Sequence, residues 1–161
     1  MDKPLRLYLL RHGVAEDESK DGADETRRLT EGGIKRTARA VKGLAKVIDA
    51  PDIILTSPLV RARQTADLAA ERFSVKVEEV DILGRAAPQR IIAMLRKREE
   101  QTILAVGHEP TLSTIIEMLI AHAGDRGFIQ LKKAGCAALD VPPRGHARLL
   151  WLATPKLLTA R

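Results

Sequence analysis

Aromatic residues are nearly missing from this chain: its 161 residues include one Trp, one Tyr and two Phe. A core without large rings must be filled by Leu, Ile, Val and Ala, which favours layered α/β packing. The same scarcity removes the stacking platforms on which single-stranded nucleic acids lie. Cysteine occurs once, at Cys136, so no internal disulfide can form, and the main reason to expect a secreted compartment is gone. Between Gly135 and Ala137 it reads as a small buried residue. No uncharged apolar run approaches the length of a membrane span, and the opening Met-Asp-Lys-Pro-Leu-Arg lacks the apolar segment of a signal peptide. A cytoplasmic chain without membrane association is expected.

What the chain has in excess is positive charge, a formal +6 with a sequence pI of about 9.8. This suits an anionic partner. The Lys and Arg are dispersed among Glu and Asp, so nucleic acid is not the expected partner. The length suits one core and leaves little room for a second, which gives a single domain over residues 1–161.

Short, nearly continuous apolar runs at Leu5 to Leu10, Asp52 to Thr56, Val75 to Val77 and Thr102 to Val106 predict strands covered on both faces. Helical spacing connects them. Ile34, Ala38, Val41, Ala45 and Ile48 mark one helix, and Leu59 to Phe73 a second, with Ser57 placed as N-cap and Pro58 at the first position. Ile91, Ile92 and Leu95 mark a third, and Leu112, Ile115, Ile116, Leu119 and Ile120 a fourth. Gly135 to Val141 and Ala147 to Leu152 add two strands around the turn Pro142-Pro143-Arg144-Gly145. The expected fold is a three-layer α/β/α domain, with a mostly parallel sheet of about six strands and helices on both faces. The polar stretch Val14 to Thr30 is long enough to be a rim or lid.

Parallel sheets place ligands beyond the carboxyl ends of their strands. Three polar clusters stand at such ends: Arg11-His12-Gly13, Ser57 with Arg61, and Gly107-His108-Glu109. Guanidinium forks and the N-termini of the helices near Pro58 and Pro110 fit a multiply charged oxyanion, phosphate above all. Arg61 lies in a first helical turn, where the helix dipole disfavours its cation unless an anion compensates. Each piece also has a plain structural reading: a strand end at Arg11 to Gly13, a cap at Ser57, a surface arginine at Arg61, a core histidine at His108, a solvated Glu109. His122, at the far end of its helix, and His146, in a turn, read as structural or exposed.

The segments Leu9-Leu10-Arg11-His12-Gly13, Ser57-Pro58-Leu59-Val60-Arg61-Ala62-Arg63-Gln64-Thr65-Ala66 and Val106-Gly107-His108-Glu109-Pro110-Thr111-Leu112 together resemble the three main blocks of the histidine phosphatase (phosphoglycerate mutase-like) superfamily. Arg28-Leu29-Thr30-Glu31-Gly32-Gly33 resembles a fourth. Short length and minimal insertions are similar to the SixA-type phosphohistidine phosphatases. The resemblance implies that His12 is a nucleophile and that Arg11, Arg61 and His108 hold the phosphoryl group. It also implies that Arg28 reaches the phosphate, while Ser57 and Glu109 are further substrate-binding candidates. The acidic residue that protonates the leaving group in larger members has no clean match in Val80-Asp81-Ile82-Leu83-Gly84; Asp81 and Glu109 are the nearby carboxylates.

The mechanism so implied is a two-step displacement without metal or other cofactor, through a phosphohistidine. The missing acid favours a labile P–N bond, hence phosphohistidine on a phosphocarrier or phosphotransfer domain, over an alkoxide leaving group. A small phosphomonoester is the enzymatic alternative, and a non-catalytic phosphate-binding interaction module the alternative of another class.

Overall fold

The computed structural model describes residues 3–122 and 124–160. Six strands form one sheet: β1 (Leu5–Arg11), β2 (Ile53–Thr56), β3 (Val77–Glu79), β4 (Thr102–Gly107), β5 (Cys136–Val141) and β6 (Arg148–Ala153). They lie in the order β3-β2-β4-β1-β5-β6. The first four run parallel; β5 is antiparallel to β1, and β6 to β5. Between them run α1 (Glu31–Leu44), α2 (Val60–Phe73), α3 (Ile82–Arg85), α4 (Pro88–Arg96), α5 (Thr111–Ile120) and α6 (Pro155–Leu158). Among the described residues no helix is long and apolar enough to cross a membrane.

Alternate residues of each central strand serve two cores. Leu7, Leu9, Ile103 and Ala105 face Leu83, Ile91, Leu95 and Leu112 of α3, α4 and α5. Tyr8, Leu10, Leu104 and Val106 face Ala40, Leu44, Ala62, Ala66 and Leu158 of α1, α2 and α6. Burial on both faces explains why the runs are continuous rather than alternating. Cys136 is buried in β5, and burial pushes its thiol up, so it is inert as a thiolate.

Three local expectations are corrected. Ser57 is not the N-cap of α2. Leu59 takes that place, with extended backbone and no side-chain cap, while Ser57 Oγ accepts from the Leu59 N–H at 3.2 Å. The third strand starts at Val77 because α2 ends in a left-handed Ser74 and the Val75 N–H returns to Ala70 O, closing the helix. The buried face of α1 is Gly33, Thr37, Ala40, Val41 and Leu44, whereas Ile34 is 39% exposed and Ala38 is exposed. Small residues win that face because the helix sits against backbone. A Cβ on Gly33 would lie 2.0 Å from Val14 O, and one on Gly43 1.6 Å from Leu158 O.

Candidate active site

The sheet order brings the predicted clusters together. Central β4 carries His108 just beyond its end, flanked by β1 with Arg11 and His12 and by β2 with Ser57. Backbone pairing continues past the strands: the His12 N–H donates to Gly107 O at 3.1 Å, and the Ser57 N–H to Val106 O at 3.2 Å. The rings of His12 and His108 stand 5.2 Å apart, centroid to centroid.

His12 is oriented by backbone. Its Nδ1 donates to Gly13 O at 2.7 Å, because a carbonyl only accepts. In the neutral ring the Nε2 lone pair is therefore free. The Gly13 N–H is fixed in turn by Thr65 Oγ1 at 3.1 Å, and that hydroxyl donates to Arg61 O at 2.8 Å. Gly13 admits no side chain, since a Cβ would meet Thr37 Oγ1 at 2.1 Å. Burial drives the His12 pKa down to about 3; the Gly13 bond opposes this, and the charges of His108, Arg61 and Arg11 add to it. Burial, with Arg61 and Arg11, lowers His108 to about 4. Both imidazoles are neutral near pH 7.

His108 Nε2 shares a 2.7 Å hydrogen bond with Ser57 Oγ, and its buried Nδ1 has no partner among the described residues. Arg11 donates from Nη1 to Leu131 O at 3.0 Å, leaving Nε unpartnered, and Arg61 Nε is likewise unpartnered. Two guanidiniums, two neutral imidazoles and the start of α2 thus converge at one site beyond the strand ends, an arrangement suited to a phosphoryl dianion.

Arg61 is already engaged by a carboxylate. Its Nη1 donates to Asp24 O at 2.9 Å and its Nη2 to Asp24 Oδ2 at 3.1 Å. Asp24 begins a single 3-10 turn, Asp24–Thr26, in the predicted rim. The rim is a tongue pinned at its base, where Ala15 pairs with Leu29 and the Glu16 N–H reaches Arg28 O. Burial pushes the Asp24 carboxyl up, but hydrogen bonds from Arg61 and Arg27 outweigh it and hold it below the usual carboxylate range.

The other candidates divide. Arg28 is exposed, and its guanidinium makes no hydrogen bond among the described residues. The loop arginine that reaches toward Arg61 is Arg27, bonded to Asp24 Oδ1 at 2.9 Å and to Glu16 O at 2.8 Å. Glu109 is occupied at α5, accepting from the Ser113 N–H at 2.9 Å and from its hydroxyl. Asp81 is exposed at the start of α3, one residue after Val80, whose N–H donates to Thr56 O at 2.8 Å. His122 and His146 are exposed and pack edge to face, 5.1 Å apart, at the far end of α5.

Sequence reasoning missed Asp24 and Glu117. Glu117 is buried in α5 and accepts the N–H groups of Gly127, Phe128 and Ile129 at 2.9, 3.0 and 2.8 Å. It thereby fixes the segment leading to Leu131 O, the anchor of Arg11. A helical glutamate inside an otherwise apolar run, Ile115 to Ile120, was the available signal.

Comparisons with known proteins agree with this architecture. The family model described as histidine phosphatase superfamily (branch 1) matches residues 7–86. A protein of uncharacterised function from Picosynechococcus sp. is 35% identical over 164 residues, covering 96% of this chain and 99% of the relative. A crystal structure of SixA from Agrobacterium tumefaciens, a protein assigned but not established as a phosphohistidine phosphatase, is 28% identical, with a TM-score of 0.80 over 94% of this chain and 99% of that one. The alpha-ribazole phosphatase of Shigella flexneri, 22% identical, shares the fold with a TM-score of 0.77 over 94% of this chain and 97% of that one.

Proposed function

The chain belongs to the histidine phosphatase superfamily, and from that premise we propose that it is a metal-independent phosphatase acting on phosphohistidine in a protein. The observation that carries the chemistry is the His12 Nδ1 bond to Gly13 O, which leaves Nε2 unprotonated in a ring held neutral by burial. Nε2 attacks phosphorus in line as the bond to the leaving group breaks, giving a phosphohistidine at His12. Water then attacks that phosphorus, loses a proton, and releases inorganic phosphate and the free ring. Arg11, Arg61 and His108 stabilise the equatorial oxygens through both steps. Ser57 acts by holding His108.

The substrate reading rests on the carboxylates. Glu109 is engaged by Ser113, and the Asp24 carboxyl, held below the usual carboxylate range by Arg61 and Arg27, carries no proton to give an alkoxide. An imidazole leaving group needs less help, because its own ring nitrogen takes the proton. Cytoplasmic phosphocarrier or phosphotransfer domains are the partners this implies. A small phosphomonoester is the second reading, favoured by the Asp24 turn, which is bonded directly to Arg61 and so stands beside the phosphoryl site.

The test compares kcat/KM, in the presence of chelator, for a phosphohistidine carrier protein and for sugar and nucleotide phosphates, with His12→Ala as control. The expected result is preference for the carrier and loss of turnover in a folded His12→Ala protein. Preference for a sugar or nucleotide phosphate selects the second reading, and turnover by His12→Ala removes the mechanism.

A further inference from the structure

Beside the phosphoryl site, on the α1 side of the sheet, lies a separate cavity of about 300 Å³ between α1, α6 and the turn at Lys133 and Ala134. Four cations line it: Arg36, Arg39, Lys133 and Lys156. Each is exposed, and none lies within ion-pair distance of a carboxylate among the described residues. The arginines at 6, 27, 61, 63 and 98 are all paired. Arg36 and Arg39 are neighbours on one helix face, an arrangement that costs stability when both are charged. The positive field extends along α1, where Arg39, Lys42 and Lys46 line an adjoining hollow.

The floor is different in kind. Val14, Ala134 and Pro155 give it an apolar surface, and buried Thr37, whose Oγ1 has no hydrogen-bond partner, forms the wall toward Gly13. Ala134 is held in the left-handed region, φ 59°, with its N–H directed at Arg11 O and His12 O, 3.1 and 3.2 Å away. Non-glycine residues hold that conformation where the surroundings enforce it, often at ligand sites. None of Arg11, His12, Ser57, Arg61 or His108 lines the cavity.

We propose that this cavity is a second anion site, distinct from the phosphoryl site, which takes a nucleoside di- or triphosphate. A single phosphate would leave most of the space and the apolar floor unused, whereas a polyphosphate chain meets several cations and a base covers the floor. The volume lies at the lower end of small-ligand sites, about 300–1,000 Å³.

Equilibrium dialysis of the full chain with a non-hydrolysable ATP analogue, in chelator, tests the assignment. One molecule is expected to bind, with affinity unchanged by Arg61→Ala and weakened at least about tenfold, roughly 1.4 kcal/mol, by Arg39→Glu/Lys156→Glu. Arg36→Ala/Lys133→Ala, a milder change at exposed positions, is expected to weaken binding in the same direction and serves if the reversal does not fold. No binding up to millimolar analogue overturns the proposal. So does binding that is lost with Arg61→Ala or indifferent to the cavity variants.

Discussion

Replacing Asp24 by Asn isolates the contest for Arg61. The guanidinium is held twice by Asp24, through the carbonyl at 2.9 Å and the carboxylate at 3.1 Å. A phosphate that takes the same two η nitrogens must displace at least the carboxylate. Arg61 is 7% exposed and Asp24 61% on their side chains, so the pair is open on one side and weak. Pairs of that kind contribute about 0.2–1 kcal/mol. Removing the charge while keeping the backbone carbonyl should therefore tighten phosphate binding by roughly 1.4- to 5-fold, at tenfold per 1.4 kcal/mol. Release of Arg27 from Asp24 Oδ1 acts in the same direction. A titration of inorganic phosphate followed by ³¹P NMR, in parallel for wild type and Asp24→Asn, measures it. The gain should shrink as salt rises toward 0.5 M, because part of the site faces solvent. Weaker phosphate binding in Asp24→Asn would refute the reasoning and make Asp24 a support that aims Arg61 rather than a rival for it.

The low histidine pKa values make stability depend on pH. Below the unfolded value of about 6.5 the unfolded chain takes up protons that native His12 and His108 refuse until about pH 3 and 4, so stability falls with acidification across that window. By pH 5 each histidine removes roughly 2 kcal/mol, at about 1.36 kcal/mol per unit; urea unfolding of His12→Ala/His108→Ala should show a flatter slope from pH 7 to 5 than wild type, and equal slopes would contradict it. Gly13→Ala should cost about 1–3 kcal/mol through overlap with Thr37 Oγ1. Adding Thr37→Ala should restore much of this in denaturant melts, because the nearest remaining Thr37 atom, Cβ, is 3.4 Å away. Glu117→Gln should weaken three charge-assisted bonds and cost about 1–3 kcal/mol, with hydrogen exchange quickened at Gly127, Phe128 and Ile129 before the rest of α5.

The central strands were legible because two-sided burial writes itself as an unbroken apolar run, and the topology rule then placed Arg11, His12, Ser57, Arg61 and His108 on one edge. Their meeting needed no side-chain information. What stayed hidden was contact across sequence distance. Asp24 reads as one more solvated acid in a polar loop until α2 brings Arg61 to it, 37 positions away. Arg27 and Arg28 are indistinguishable as letters, and the bonds to Glu16 O and Asp24 decide which one turns inward. The apolar face of α1 was misread because periodicity weighs hydrophobicity, whereas close approach to backbone selects for small size, as at Gly33, Thr37 and Gly43.

That preference for small residues connects the scarcity of aromatics to the chemistry. With Ala62, Ala66 and Ala69 on α2 and Ala40 on α1 facing the strands, and Gly33 and Thr37 set against Val14 and Gly13 just after β1, both helices can lie close to the sheet. A Phe or Tyr at any of these positions would hold the helix off, since interiors are packed too densely to absorb the volume. Close helices let Thr37 press on Gly13 from α1 while Thr65 hydrogen-bonds its N–H from α2. Gly13, clamped from both sides, presents its carbonyl to His12 Nδ1 in one orientation. The ring is thus aimed by backbone and needs no carboxylate to fix its tautomer. A carboxylate in that place would favour the imidazolium and so oppose the neutral nitrogen on which attack depends.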